Sequence, residues 1–142
     1  MKVQDVMSKR IISVSPDENA AVAARLLSRY NIGALPVCTK EGKLRGMVTD
    51  RDIALRCVAA EEDPMRVKVS DIMTRRVFSI HAQQSIDEAS ALMAKEKIRR
   101  LPVHDNSKII GMVSLSDIAR QPHCGKQAAQ AFNEITKNVR TY

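Results

Sequence analysis

Two short stretches of this chain each set a hydroxyl and a carboxylate three residues apart. They are Thr49-x-x-Asp52 within GMVTDRDIA and Ser114-x-x-Asp117 within GMVSLSDIA, and six of the nine positions are identical. Such a pair can do two kinds of work. At the start of a helix, the hydroxyl and the carboxylate satisfy the first unpaired amides reciprocally, as a capping box. Where a strand runs into a helix N-terminus, a natural place for an anion, the same two groups can hold the vicinal hydroxyls of a ribose. A carboxylate is a strong, acceptor-only partner for such hydroxyls. The residues alone leave both roles open, and one motif can fill both.

Other chemistry is thinly represented. Cys38 and His104 occupy matching positions after two LPV triplets, which raises the idea of a paired metal site, but zinc needs further ligands and none stand nearby in sequence. His123-Cys124 lie in a tail. We therefore expect no metal site. There is no nucleophile elbow, glycine-rich phosphate loop or HExxH motif, so no catalytic residues are assigned.

The elements that position the two phrases repeat as well. A shift of 66 residues lays VQDVMS (Val3–Ser8) on VSDIMT (Val69–Thr74), and IGALPV (Ile32–Val37) on IRRLPV (Ile98–Val103), without a gap. One deletion in the following turn then sets Gly46 on Gly111. The chain is a duplication. In each half an opening segment leads to an extended piece, Ile11–Val14 or Val77–Ile80. A helix follows, with Ala23, Leu26, Leu27 and Tyr30, or Ala89, Leu92 and Met93, on one face. Its N-cap is expected at Asn19 or Ser85. An LPV strand, a polar turn and a second strand ending in GMV form a hairpin, and a last helix begins after Thr49 or Ser114.

The order β-α-β-β-α, twice, predicts a mixed α/β (α+β) fold. The sequence divides into repeat one over 1–66, repeat two over 67–120, and an extension over 121–142. A unit of about 60 residues is marginal alone, so the copies should pack about a pseudo-two-fold axis with two related clefts. In the extension, Ala128, Ala131, Phe132, Ile135 and Val139 predict an amphipathic helix after a break at Pro122 and Gly125.

Composition narrows the class. The chain has 142 residues, 44% apolar and 27% charged, with only 3% aromatic and no Trp. Its core must therefore be built from Val, Ile, Leu, Met and Ala, and the seven methionines are expected as core filling. No apolar run approaches the ~18 residues needed to span a bilayer, and the N-terminus lacks the apolar stretch of a signal peptide. Three cysteines, odd in number, are expected as free thiols in a cytoplasmic protein. The net charge of +7 raises the question of nucleic acid. No aromatic-plus-basic platform accompanies it, so nucleic acid is not the expected partner.

The ordered motifs DVMS or DIMT, IxxLPV and GMV[TS]xxDIA, present at two registers, resemble a tandem pair of cystathionine-β-synthase (CBS) domains, a Bateman module. The resemblance covers about residues 1–120. It implies adenine-nucleotide or other adenosyl ligands in clefts between the repeats, a regulatory or energy-sensing role without catalysis, and association of two modules into a flat disc, here a homodimer. Carried across by position, it implies ribose binding at Thr49 with Asp52 and at Ser114 with Asp117. It implies phosphate contacts at Arg51, Arg99 and Arg100, where a forked, permanently charged guanidinium suits the ligand. The adenine pocket falls on Ile12, Ser13, Val14, Gly33 and Ala34, and on Phe78, Ser79 and Ile80 with Arg99 and Arg100 opposite. AMP, ADP or ATP is expected first, with NAD or S-adenosylmethionine after them, and an unidentified regulated protein as the reader of the signal. The alternative is a ligand-free interaction scaffold acting through the disc surface and the C-terminal helix.

Overall fold

The computed structural model describes residues 1–137; Val139 and Arg140 lie outside the described residues. The chain forms two compact units, Ile12–Val77 and Met1–Ile11 together with the chain from Phe78 on. These spatial units do not follow the sequence repeats. Each one is completed by the opening segment of the other copy.

Unit 12–77 contains α2 (Ala20–Tyr30), β1 (Ala34–Cys38), β2 (Leu44–Thr49), α3 (Asp50–Ile53), a π-helical turn over Ala54–Val58, and α4 (Val69–Ile72). The other unit contains α1 (Val3–Val6), β3 (Ile80–His81), α5 (Ile86–Glu96), β4 (Arg100–Asp105), β5 (Lys108–Ser114), α6 (Leu115–Ala119) and α7 (Gly125–Thr136). Strands β1 and β2 pair antiparallel, as do β4 and β5, with a bulge after Val37 and after Val103. The two long helices begin where their sequences direct. The Asn19 side chain accepts from Val22 N, and Ser85 Oγ accepts from Glu88 N. Both helices stop at a left-handed residue, Asn31 and Lys97.

The opening extended pieces are shorter than the sequence predicts. Val14 makes one parallel bridge to Val37, donating to Pro36 O and accepting from Cys38 N. β3 is two residues long and runs parallel to β4, with Ile80 opposite Val103. Proline explains the stop. A parallel ladder extended back to Ile12 or Phe78 needs an N–H from Pro36 or Pro102, and proline has none.

Glycine explains the repeated GMV. A Cβ on Gly46 would stand 2.7 Å from Thr74 O and 2.8 Å from Met73 Sδ; one on Gly111 would stand 2.7 Å from both Ser8 O and Met7 Sδ. Next to these glycines the opening segments form reciprocal backbone bonds, Thr74 with Met47 and Ser8 with Met112. So DVMS and DIMT each end against a GMV strand that admits no side chain.

Each unit has its own apolar core. Leu35, Val37, Val48, Leu27 and Ile53 pack with Val69 and Ile72 of α4 in one unit. Leu101, Val103, Val113, Met93 and Ile118 pack with Val3 of α1 and with Ala128 and Ala131 of α7 in the other. Of the methionines, Met73 and Met93 are core residues, whereas Met1 and Met65 are exposed, so core filling describes only some of them. The C-terminal helix forms, but Gly125 is its first residue; the break lies at Pro122-His123, where His123 is left-handed. All three cysteines are free thiols. No helix of the described residues is long and apolar enough to cross a membrane.

Candidate functional site

Both repeated phrases form the same junction. In unit 12–77 the hairpin ends with Ala34 opposite Thr49, and Asp50 N donates to Gly33 O at 3.1 Å. In the other unit Arg100 stands opposite Ser114, and Leu115 N donates to Arg99 O at 2.8 Å. The backbone just before LPV is thus stitched to the start of the last helix in both units. Gly33 and Ala34 are brought beside Thr49, and Arg99 and Arg100 beside Ser114.

The capping box is complete at both junctions. Thr49 Oγ1 accepts from Asp52 N at 3.0 Å while Asp52 Oδ2 accepts from Thr49 N at 3.0 Å. Ser114 Oγ accepts from Asp117 N at 3.1 Å, and Asp117 Oδ2 accepts from Ser114 N at 2.8 Å. These bonds fix each hydroxyl and carboxylate side by side before any ligand arrives.

The remaining carboxylate oxygens differ in company. Asp52 is buried, and its Oδ1 lies 3.5 Å from the Arg56 guanidinium. Arg56 also donates to the carbonyls of Ile72 and Met73, which ties α4 to the site. Asp117 is half-buried and accepts from Arg120 at 2.6 Å through Oδ1. In both cases the arginine supplies a charge-assisted partner, and a ribose hydroxyl would have to share that oxygen.

The proposed phosphate residues Arg51, Arg99 and Arg100 are all exposed. Arg99 and Arg100 line a groove of about 480 Å³, together with the hydroxyl residues Ser114 and Ser116. Ala119 of α6 and Ala128, Ala129 and Phe132 of α7 complete its lining. Ligand pockets of this size are typical of small molecules. Arg51 belongs to the other unit and takes no part in this groove.

The proposed adenine-pocket residues are placed less uniformly. Val14 and Ile80 have buried side chains, and both backbone groups of Val14 are engaged in its bridge. Ile12, Phe78 and Ser79 are half-buried and Ser13 is exposed. None of Phe78, Ser79 and Ile80 lines the groove beside Arg99 and Arg100. The groove's α7 wall is the feature the sequence reading missed. The signal was Leu115, an apolar residue where the first copy has Asp50; it is buried in the structure.

Burial raises the Cys38 thiol above its ordinary value. His104, at the matching position, makes an edge-on ring contact with His81 at 5.4 Å. His81 also lies 3.4 Å from Asp105. Among the described residues no group of three or more His, Cys, Asp or Glu side chains is placed to hold a metal ion.

The CBS domain family model matches residues 3–58 and 69–123. The CBS domain-containing protein YhcV of Bacillus subtilis is 39% identical over 134 residues, covering 94% of each chain. A crystal structure of Hypoxic Response Protein I with two coordinated zinc ions superposes with a TM-score of 0.80 at 32% identity, covering 86% of this chain and 99% of that one. The CBS domain pair of protein MJ0100, in complex with 5′-methylthioadenosine and S-adenosyl-L-methionine, gives a TM-score of 0.75 at 32% identity, covering 84% and 94%.

Proposed function

The chain belongs to the CBS domain family as a tandem pair, and from that premise we propose that it is a regulatory module that senses an adenine nucleotide. The observation that carries the reading is the groove beside the second junction. Two exposed guanidiniums, the Ser114 hydroxyl and apolar side chains of α7 line one space of about 480 Å³, and Ser114 is held there by its reciprocal bonds with Asp117. That combination suits a sugar bearing an anion. A related chain in complex with adenosyl ligands supports the same class. AMP, ADP and ATP match the arginines better than NAD or S-adenosylmethionine, because they present a terminal phosphate to a forked donor. Thr49, Asp52 and Arg51 form the first copy's counterpart, with Gly33 and Ala34 in place of the arginine pair. We assign the module no catalysis of its own and, with its free thiols, a cytoplasmic setting.

Calorimetry with AMP, ADP, ATP, NAD and S-adenosylmethionine tests the proposal. Asp117→Ala should weaken binding at the second junction by tenfold or more, on the order expected for losing a charge-assisted bond, and Asp52→Ala should do so at the first. Unchanged affinity in both variants would remove the ribose assignment, and no binding of any of the five would remove the function.

One observation favours an interaction role beside ligand binding. Leu55, Val58 and Met65 in unit 12–77 are large apolar residues more than half exposed. We assign these exposed apolar residues to association of two copies into a homodimeric disc, whose ligand-dependent change a regulated protein would read. The apolar face of α7, by contrast, is used within its own unit, since Ala128 and Ala131 are buried there. Light scattering of a Leu55→Glu, Val58→Glu double variant should then report a monomer; an unchanged mass would place the association elsewhere.

A further inference from the structure

We propose that Arg56 is the positioning residue that couples occupancy of the first junction to the opening segment of the second repeat, because one nitrogen of its guanidinium serves both. The inference rests on the reading above that Asp52 takes a ribose hydroxyl, and it adds how that event is passed on.

Arg56 lies inside the π-helical turn over Ala54–Val58, a wider winding that recurs at functional sites. Its Nη1 stands 3.5 Å from Asp52 Oδ1 and donates to Ile72 O at 2.9 Å and to Met73 O at 3.3 Å. A guanidinium Nη carries two hydrogens, so three acceptors oversubscribe it, and the approach to Asp52 is the loosest of the three. The two carbonyls lie at the C-terminal end of α4, where a helix leaves its last acceptors unpaired by its own amides and an arginine suits them as donor. A ligand hydroxyl that donates to Asp52 Oδ1 satisfies part of the charge that draws Arg56, and leaves Nη1 to the two carbonyls. Ligand binding thereby tightens the hold on DIMT. That segment ends against Gly46 and Met47 and stands just before the chain passes into the other unit at Phe78. Linkage is reciprocal, so a firmly held segment raises affinity for the ligand. The second copy is built differently. Gln121 is aligned with Arg56 there and donates back to Asp117 O at 3.4 Å, while Arg120 bonds Asp117 Oδ1. The coupling is thus assigned to the first junction.

Amide hydrogen exchange with and without saturating AMP, alongside calorimetry, tests the coupling. Met73 N donates to Val69 O and Thr74 N to Met47 O, so their exchange reports how firmly the segment is held. AMP should slow both by about 5- to 150-fold in the parent. Arg56→Gln installs the second copy's residue; it should remove that slowing and weaken AMP at the first junction by a similar factor. Arg56→Lys, which keeps a charged donor, should restore part of both. Cys38 N, bonded to Val14 O in the same unit, should keep its AMP-dependent slowing in all three proteins, since a bound ligand stabilises the whole unit by mass action. Loss of slowing at Cys38 together with Met73 and Thr74 would overturn the inference, as a general loosening of the unit. If AMP binds the parent and Asp52→Ala weakens it, yet AMP leaves Met73 and Thr74 unchanged or slows them equally in the parent and Arg56→Gln, this inference alone fails. If Asp52→Ala binds as the parent does, or if neither AMP, ADP nor ATP binds the parent, the reading it rests on fails with it.

Discussion

Helices α3 and α6 begin at equivalent positions, yet one starts with Asp50, exposed to solvent, and the other with Leu115, only 7% exposed. The same contrast runs deeper. Ile53 on α3 is 9% exposed, and its counterpart Ile118 on α6 is fully buried. The difference is α7, which packs on α5 and α6. On the corresponding face of the other unit, Ala24, Leu27, Ile32 and Ile53 line an open groove of about 310 Å³. A duplicated fold thus became two unequal units by adding one helix to a single copy, and a few residues beneath it changed character to suit. The letters that differ between the two phrases record that cover: leucine where α7 sits, and serine rather than arginine where the groove opens.

The comparison can be broken most directly at its centre. Leu115→Asp restores the first copy's residue under α7 and should destabilise the protein by about 3 kcal/mol in urea unfolding, from lost apolar burial and an unpaired buried carboxylate. The reciprocal Asp50→Leu, on an open surface, should stay within about 0.5 kcal/mol. Comparable losses in the two would mean that α7 does not make the difference. What the units share should respond alike. Gly46→Ala and Gly111→Ala each push a methyl against a carbonyl oxygen 2.7 Å away, and each should cost about 1–3 kcal/mol. A variant that melts as the parent does would show that its opening segment is loosely held.

Removing a capping carboxylate has a smaller effect. Asp52→Ala and Asp117→Ala should each cost about 1 kcal/mol of stability, with the larger loss at Asp52, whose partner Arg56 is also anchored to Ile72 and Met73. The smallest contrast lies in the thiols. Cys38 is buried and its thiol is held above the usual 9.0, whereas Cys124 is only partly buried. Alkylation at pH 8 should therefore label Cys124 well before Cys38. A buried thiol with a raised value leaves stability intact below about pH 9 and lowers it as the unfolded thiol ionises above that point. A Cys38→Ala variant should lose that alkaline decline; an unchanged pH profile would assign it to another group.

Much of this was legible in the residues because it is local. Asn19 and Ser85 cap their helices, Thr49 and Ser114 cap theirs, and both hairpins turn at the polar runs after LPV. Fold class and family followed from that order. The misses are non-local. Ile11–Val14 reads as a strand by its branched residues, but Pro36 withholds the N–H that would extend it. The opening segments look like parts of their own repeats because periodicity says nothing about which copy a segment joins. The glycine of GMV and the methionine of DVM or DIM carried that information jointly, and only their contact reveals it.

The exchange of opening segments has a consequence for the order of folding. Unit 12–77 draws on one continuous stretch, so all its contacts exist once residue 77 has left the ribosome. Ser8 instead pairs with Met112, roughly a hundred residues later, and such long closures form slowly. During synthesis the first dozen residues must wait while a finished unit assembles behind them. Val3, fully buried in the finished unit, lacks much of that unit's core through that interval, and a chain arrested soon after residue 77 would present it to any chaperone within reach.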